Sequence, residues 1–287
     1  MGENDGLQGQ STMDIGRLAF IGGGNMAAAL IGGLTKRGVP GDRIVAADPD
    51  AKQLQRLAGD FGITVTTDNR DAVKDTDVVV LAVKPQQMRA VALNIAPHMA
   101  KSRPLVISVA AGIPYAALAR WFGPQIPVVR TMPNRPALNG FGATGLFAPP
   151  GVSTQHRTLA ETIMAAVSAT VWVEHESQMD TVTALSGSGP AYFFLFMEAL
   201  EAAAHERGLP HDIAHRLTLE TAFGAAQMAR QSTESLATLR TQVTSKGGTT
   251  AAALEVLDAA GLRAIVAHAV AAADRRSAEL AAEYGTP

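Results

Sequence analysis

One short stretch constrains this chain more than any other: residues 17–34 have the sequence RLAFIGGGNMAAALIGGL. An apolar run leads into three glycines and then into an Ala- and Leu-rich segment, which predicts a strand that turns sharply into a helix. The spacing Gly22-x-Gly24-x-x-Ala27 matches the G-x-G-x-x-G/A pattern of dinucleotide-binding turns. In that pattern Gly22 permits the tight turn, Gly24 lets the backbone approach a pyrophosphate, and Ala27 allows close packing. A glycine turn that binds nothing also fits this stretch.

The rest of the first half alternates strand-like and helix-like runs. A helix is predicted over residues 51–61. Strands are predicted near Thr64 and in the runs RIVAAD (43–48), DVVVLAV (77–83), PLVISVAAG (104–112), PVVRTMPN (127–134) and TVWVE (170–174). The alternation predicts an α/β fold with a doubly wound, mostly parallel sheet, whose strand ends converge beside Gly22.

From about residue 178 the strand-like runs stop and helical periodicity takes over. We therefore predict a disordered tail over 1–14, a dinucleotide-binding domain over 15–177 and a helical domain over 178–287. Helices are predicted from Ser188-Gly189-Pro190 to about Gly208, from Pro210 to about Arg230, and over 236–242, 251–258 and 262–284.

Composition excludes several classes of function. Charged residues make up 17% of the chain, the formal net charge is −2 and there is no long basic run, so nucleic acid and anionic membrane surfaces are not expected partners. With no cysteine, disulfides, thiolate metal sites and a cysteine nucleophile are excluded. No uninterrupted apolar run reaches the roughly 18 residues of a membrane span. We expect a cytoplasmic protein.

Asp48 ends the second predicted strand. An acid at this point of a βαβ unit can bind the adenosine ribose hydroxyls and repels a ribose 2′-phosphate, which favours NADH over NADPH. Because Pro49 follows directly, a turn or helix-capping role for Asp48 is equally compatible with the sequence.

Two further glycine-bearing loops lie in the second half. ALSGSGPAYFF (184–194) and TSKGGTT (244–250) each place hydroxyls and glycines at a predicted helix start, where free N–H groups favour an anion. A small carboxylate could bind there without a dedicated arginine, although helix capping alone also explains the Ser and Thr residues.

The titratable residues indicate no other chemistry. The seven histidines show no metal-ligand spacing, so we expect no metal site. Ser186 and Ser188 lack the G-x-S-x-G context of a nucleophile elbow. A nicotinamide cofactor would need few catalytic side chains, because it carries its own hydride chemistry. Met132, Phe193, Phe194, Phe196 and Met197 are interpreted as core residues.

The Ala-rich helices carry stripes of apolar and small residues, such as Leu217, Gly224 and Met228 on one predicted helix. This is more apolar surface than a cap on a monomer needs, and we predict a homodimer through this half. Packing of the same stripes within one chain is the alternative.

Together these motifs resemble the pyrroline-5-carboxylate reductase family. The matching segments occur in the family's order from Ile15 to the C-terminus: GGGNMA (22–27), AVKP (82–85), AAG (110–112), RTMPNRP (130–136), ALSGSGPAYFF (184–194) and TSKGGTTAAAL (244–254). The resemblance implies a Rossmann domain followed by a helical dimerisation domain. It also implies NADPH- or NADH-dependent reduction of 1-pyrroline-5-carboxylate to L-proline, in a homodimer or a higher homo-oligomer built from dimers.

The resemblance also implies roles for individual residues. It places Gly22, Gly24, Asn25 and Met26 at the pyrophosphate, Asn69, Ala82, Lys84 and Pro85 along the cofactor, and Ala110, Ala111, Gly112 and Asn134 around the nicotinamide. It gives Ser245, Gly247, Gly248, Thr249 and Thr250 to the substrate carboxylate, with Thr250 hydrogen-bonded to the ring nitrogen. The loop would face residues 22–26 across the active cleft, in a site that involves the partner subunit.

One departure and two rival functions remain open. Lys246 stands where the family usually has proline, so the loop loses a fixed φ angle and gains an N–H donor and a positive charge. A related imine reductase or a β-hydroxyacid dehydrogenase shares the G-x-G-x-M start. The β-hydroxyacid dehydrogenases resemble one another in a lysine on the first long interdomain helix. The corresponding residues here, 190–204, contain no lysine, which argues against that class. A non-catalytic dinucleotide-binding protein is the second rival.

Overall fold

The computed structural model describes residues 15–285. The predicted disordered tail, residues 1–14, lies outside this range. The described residues form two compact units, the first made of 15–187 and 274–285 and the second of 188–273. The predicted boundary between 177 and 178 follows the change in sequence pattern, whereas the compact units divide after Gly187, so the exact domain boundary stays a prediction.

The first unit is built on an eight-stranded sheet of order β3-β2-β1-β4-β5-β6-β7-β8. Every neighbouring pair is parallel except β6 and β7. The strands are β1 Leu18–Ile21, β2 Ile44–Ala47, β3 Thr64–Thr66, β4 Val78–Leu81, β5 Leu105–Ser108, β6 Val128–Met132, β7 Gly142–Phe147 and β8 Ser168–Trp172. The doubly wound, mostly parallel sheet predicted from the sequence is confirmed.

Helices cover both faces of this sheet. They are α1 Asn25–Lys36, α2 Ala51–Phe61, α3 Asn69–Ala72, α4 Pro85–Met99, α5 Tyr115–Phe122, α6 Thr154–Met164 and α7 Gln178–Val182. Strands β1, β4 and β5 are buried along their whole length, because two separate apolar clusters pack against them, one on each face. This explains their continuous apolar sequences.

The strand order reverses at β1, since β2 and β4 lie on either side of it. In an open parallel sheet, ligands bind beyond the carboxyl ends of the strands at such a switch point. The Gly22 turn follows β1 directly, and the fold therefore brings the glycine fingerprint to the position where a dinucleotide binds.

The second unit is helical. Its helices are α8 Gly189–Glu206, α9 His211–Gln231, α10 Leu236–Gln242, α11 Thr249–Ala259 and the first part of α12 Leu262–Tyr284. Helices α8 and α9 pack together, and the rings of His205 and His211 stack with their centroids 3.5 Å apart where the helices join. These helices confirm the predicted all-α second half.

The structure differs from the sequence predictions at two places. Strand β7 is absent from the predictions, because GATGLF contains two glycines and no clear alternation. The prediction that the aromatic residues of α8 are core residues is wrong for the single chain, since Phe193 and Phe194 are 70% and 64% exposed and Phe196 is also exposed. Helix α8 is apolar on several faces, and one neighbouring helix cannot cover them all.

Within residues 15–285, no single helix is both long and apolar enough to cross a membrane. Helices α11 and α12, bent by 54° at their junction, pass that length and composition test only as a pair.

Candidate functional site

The turn after β1 depends on glycine. Gly22 has a φ of +98°, and a Cβ there would lie 2.6 Å from the carbonyl oxygen of Ala82. Its N–H donates to Ala47 O at 2.8 Å. Gly24 is the N-cap of α1 and no side chain caps the helix start. The first N–H groups of α1 therefore point out of the turn, where the positive end of the helix dipole favours an anion.

Asp48 is bound to this turn. Its Oδ2 accepts a hydrogen bond from Gly23 N at 2.7 Å, and its Oδ1 accepts one from Asp50 N at 2.9 Å. Gln53 donates from its side-chain amide to the carbonyl oxygen of Gly23. The cap of α2 is Asp50, which accepts from the N–H of Lys52, so Asp48 has a turn role but not a helix-capping role.

A cavity of about 650 Å³ opens beside the glycine turn. This volume lies within the range of small-molecule and cofactor sites. Among the residues predicted to bind cofactor, those that line it are Gly22, Gly24, Asp48, Asn69, Ala82 and Lys84. Its other lining residues, which the sequence did not single out, are Ala47, Pro49, Thr67, Val83, Gln86, Gln87, Ala90 and Val91.

The remaining predicted cofactor residues lie outside this lining. Asn25, Met26 and Pro85 occupy the first turns of α1 and α4, beside lining residues of the cavity. Ala110, Ala111 and Gly112 follow β5, two strands from β1. Gly112 has a φ of +71° and is buried, and a Cβ there would lie 3.4 Å from atoms of Leu280 and Tyr284 on α12.

Asn134 has a structural contact at each end of its amide. Its Nδ2 donates to Ser186 O at 2.9 Å, and its Oδ1 accepts from Ala143 N at 2.9 Å. Ser186 belongs to a turn of π-helix over Thr183–Gly187, a rare conformation that often occurs at functional sites. Asn134 thus joins the end of β6 to β7 and to Ser186, the first residue of the sequence SGSG (186–189).

In the second unit, the loop over 245–248 forms a tight turn. Gly248 N donates to Ser245 O at 3.1 Å, and Gly247 has a φ of +71°. A left-handed residue at the third position, after a residue of negative φ, defines a type II turn. Lys246 occupies the second position of this turn, where proline is favoured.

Helix α11 starts directly after this turn. Gly248 is its N-cap in extended conformation and no side chain caps the helix start. Thr249 and Thr250 are its first two residues, so hydroxyl groups and free N–H groups lie together at the positive end of an eleven-residue helix. This arrangement suits a small carboxylate.

Two contacts of the first unit were not predicted. Gln86, which lines the cavity, donates from Nε2 to the hydroxyl of Tyr284 at 2.9 Å, and this ties the end of α12 to the cavity wall. Glu176 binds the guanidinium of Arg130 and also accepts from Tyr115 N at 2.5 Å. An arginine inside the apolar run PVVRTM indicates that Arg130 is buried, but the sequence does not show which acidic residue pairs with it.

The residues around the cavity fit the pyrophosphate part of a dinucleotide. A Cβ at Gly22 would clash with the backbone of Ala82, whereas no atom lies within 4 Å of the Cβ position at Gly24. The N-terminus of α1, which follows Gly24, has no side-chain cap. A pyrophosphate needs such an open approach to the backbone.

Comparisons with known proteins agree with this arrangement. Residues 176–280 match the family model described as pyrroline-5-carboxylate reductase dimerisation, and residues 17–112 match one described as NADP oxidoreductase coenzyme F420-dependent. A pyrroline-5-carboxylate reductase of Pseudomonas aeruginosa is 52% identical over 273 residues, which cover 95% of this chain and 100% of that protein.

Solved structures agree as well. The pyrroline-5-carboxylate reductase of Coxiella burnetii superposes with a TM-score of 0.90 at 42% identity, over 93% of this chain and 98% of that one. The Plasmodium falciparum pyrroline carboxylate reductase, solved with NADP bound, gives a TM-score of 0.81 at 28% identity, over 92% and 98% of the two chains. On the sequence identity, the coverage and the shared fold, the chain belongs to the pyrroline-5-carboxylate reductase family of NAD(P)-dependent oxidoreductases.

Proposed function

We propose that this enzyme reduces the C=N bond of 1-pyrroline-5-carboxylate to give L-proline, the last step of proline biosynthesis, with NADPH or NADH. The observation that carries the proposal is the presence of two uncapped helix starts, one at Gly24 beside the dinucleotide cavity and one at Gly248 behind the type II turn. Each offers free N–H groups to an anion, which suits a pyrophosphate at the first and a carboxylate at the second.

In this proposal the first unit holds the cofactor. The N–H groups that follow Gly24 bind the pyrophosphate, with Asn25 and Met26 supplying two of them. Asp48 and Asn69 border the adenosine ribose, and Ala82, Lys84 and Pro85 follow the cofactor's course. Ala110, Ala111, Gly112 and Asn134 shape the nicotinamide side. The cavity volume of about 650 Å³ and its lining support the part of this assignment nearest the glycine turn.

The second unit holds the substrate. The carboxylate of the cyclic imine accepts hydrogen bonds from the N–H and hydroxyl groups of Ser245, Gly247, Gly248 and Thr249. Thr250 hydrogen-bonds the ring nitrogen and is the catalytic residue. Its place in the first turn of α11, directly after the uncapped helix start at Gly248, supports this role.

The reaction needs little acid catalysis from the protein. When bound, the reduced nicotinamide supplies a hydride to the imine carbon. A protonated cyclic imine is already electrophilic. The protein's main contribution is therefore to hold the imine carbon in the correct position and orientation relative to the nicotinamide. Thr250, directly or through an ordered water, keeps the proton at the ring nitrogen.

We also propose that the enzyme is a cytoplasmic homodimer. Exposed apolar side chains in the second unit support the dimer: besides the aromatic residues of α8, Leu217, Phe223 and Met228 on α9 are each more than half exposed in the single chain. Large apolar side chains that are exposed together on neighbouring helices are typical of a protein interface.

An absorbance assay tests the proposed reaction. Purified enzyme is mixed with 1-pyrroline-5-carboxylate and either NADH or NADPH, and oxidation of the cofactor is followed together with formation of proline. We expect turnover with at least one cofactor. If neither is oxidised while binding of a dinucleotide is retained, the protein is a dinucleotide-binding protein and the proposal is wrong.

The same absorbance measurement with other substrates separates the rival enzymes. A β-hydroxyacid dehydrogenase would oxidise its hydroxyacid, and a broader imine reductase would accept cyclic imines without a carboxylate. Helix α8 contains no lysine, which opposes the first. The carboxylate site proposed at α11 opposes the second, because imines without a carboxylate would leave it unused.

A further inference from the structure

The last turns of α12 belong to the first unit, although this helix begins in the second. Two side-chain hydrogen bonds join these turns to α7. Ser277, which is 5% exposed, donates from Oγ to Asp180 Oδ1 at 2.7 Å, and Thr181 donates from Oγ1 to Asp274 Oδ1 at 2.7 Å. Helix α12 therefore ends at a defined place on the first unit, where Tyr284 is its last residue.

Tyr284 contacts two segments that follow neighbouring strands. Strands β4 and β5 are parallel neighbours, so residues 82–85 and 110–112 leave the sheet at the same carboxyl edge. The Tyr284 hydroxyl accepts a hydrogen bond at 2.9 Å from Nε2 of Gln86, at the start of α4, and a Cβ at Gly112 would lie 3.4 Å from the ring atom Cδ2. One half-buried side chain thus reaches both the cavity residue Gln86 and the segment 110–112.

The place of Tyr284 is set by contacts outside the cavity lining. Gly285, the next residue, accepts through its carbonyl oxygen from Arg120 Nη2 of α5 at 2.9 Å, and a Cβ at Gly285 would lie 3.0 Å from Pro114 Cγ. The Tyr284 side chain also packs against one of the two apolar clusters of the sheet. Gln86, in contrast, has an exposed side chain in the first turn of α4. The tyrosine therefore orders the glutamine side chain, and not the reverse.

We propose that Tyr284 is a positioning residue of the dinucleotide site; the inference rests on the proposed function in that the cavity and residues 110–112 bind the cofactor. The hydrogen bond to Tyr284 uses one of the two amide N–H groups of Gln86, which leaves the carbonyl oxygen and the second N–H for polar groups of a ligand. A glutamine that is already ordered loses less conformational entropy when the ligand binds. The ring of Tyr284 limits in the same way the motion of Gly112, which has a φ of +71° and no side chain of its own to pack.

Calorimetric titration of the purified enzyme with NAD⁺ and with NADP⁺ tests this proposal without any turnover. Tyr284→Phe removes the hydroxyl and keeps the ring, and it should weaken the binding of both dinucleotides by about threefold or more, the effect of one lost hydrogen bond. Gln86→Met keeps the length of the side chain without its amide and should also weaken both. Because the tyrosine acts through Gln86, adding Tyr284→Phe to Gln86→Met should weaken binding no further.

Steady-state kinetics separate this role from a loss of stability. Tyr284→Phe should raise the KM for the cofactor and leave kcat at saturating cofactor unchanged, since the ring still covers Gly112. Tyr284→Ala also removes the ring and should lower kcat by about threefold or more, because residues 110–112 would hold the nicotinamide less firmly. A loss of folded enzyme alone would instead lower kcat in both variants and leave KM unchanged.

Ser277→Ala is the matched control on the same helix. It removes the buried hydroxyl bonded to Asp180 and should lower the melting temperature, but it should leave the affinity for both dinucleotides unchanged. The proposal is overturned if Tyr284→Phe binds both as tightly as the wild type, if Ser277→Ala weakens them equally, or if the effects of Gln86→Met and Tyr284→Phe add. Thermal melts identify an unfolded Tyr284→Ala, and Tyr284→Phe then decides the question. If the reductase assay fails while Tyr284→Phe still weakens dinucleotide binding, the proposed reaction is rejected and the role of Tyr284 stands.

Discussion

The carboxylate of Glu176 pairs with the guanidinium of Arg130, a cation that β6 carries into the interior of the first unit. The Arg130 side chain is 9% exposed and that of Glu176 is 32% exposed. Glu176 also accepts from Tyr115 N at the start of α5, so one carboxylate joins β6, α5 and the segment before α7.

Glu176→Ala should therefore destabilise the protein strongly. Removing one partner of a largely buried pair leaves an uncompensated charge and costs about 3 kcal/mol of unfolding free energy. Arg130→Met should cost less, since it removes the buried charge itself. Urea denaturation of the two single variants and the double variant gives the coupling energy. If the double variant loses as much unfolding free energy as the two single variants together, the two side chains are not coupled and the expected effect of the pair is wrong.

Thr250→Ala should lower kcat/KM for 1-pyrroline-5-carboxylate by about tenfold or more, the effect of one lost charge-assisted hydrogen bond. Thr250→Ser keeps the hydroxyl and should retain most of the activity. Steady-state kinetics with the cofactor at saturation measure both. Unchanged kinetics in the alanine variant would remove Thr250 from the proposed role.

Lys246→Pro should stabilise the loop before α11. Proline fixes the backbone angle that the second position of a type II turn requires, and such a replacement adds about 0.5 kcal/mol by restricting the unfolded chain. Lys246→Ala removes the charge without fixing the angle and should not stabilise the fold. If both variants raise KM for the substrate equally, the positive charge of Lys246 contributes to binding. Denaturation midpoints and KM values separate the two effects, and a destabilised proline variant would show that the turn has another geometry.

Phe194→Glu should convert the proposed dimer to monomers, because its side chain, 64% exposed in the single chain, would bring a charge into an apolar interface. The matched control is Leu93→Glu, a position 46% exposed on α4 of the first unit, which should leave the assembly unchanged. Light scattering after size-exclusion chromatography reports the mass. A dimer that persists in Phe194→Glu places the interface elsewhere.

Stability should fall in mildly acidic solution because of His156. Partial burial lowers the pKa of His156 from the ordinary value of 6.5. Above pH 6.5 the ring is neutral in both states. As pH falls below 6.5, the unfolded chain binds the proton first, so stability decreases until pH passes below the folded pKa. His156→Gln should flatten this part of the curve of unfolding free energy against pH. An NMR titration midpoint for His156 at or above 6.5 would contradict the expected shift.

Local patterns predicted most of the sheet and the helices. Continuous apolar runs gave β4 and β5, and helix limits such as 236–242 and 262–284 agree with α10 and α12. These succeed because strand and helix formation depend on residues close in sequence. Strand β7 has no comparable signal, because its two glycines are not typical of a strand. They are explained by close packing against residues far away in the sequence: Ala137 and Val182 lie where a Cβ of Gly142 or Gly145 would be.

The sequence by itself determined the glycine turn of residues 22–24, the α/β order and the family, because these rest on local spacing. Only the tertiary structure decided the partners of Asp48, Arg130 and Asn134, which come from segments 25, 46 and 52 residues away along the chain. It also decided that Phe193 and Phe194 are exposed in the single chain. Long-range contacts of this kind depend on how the sheet orders its strands, and no periodicity in the sequence records that order.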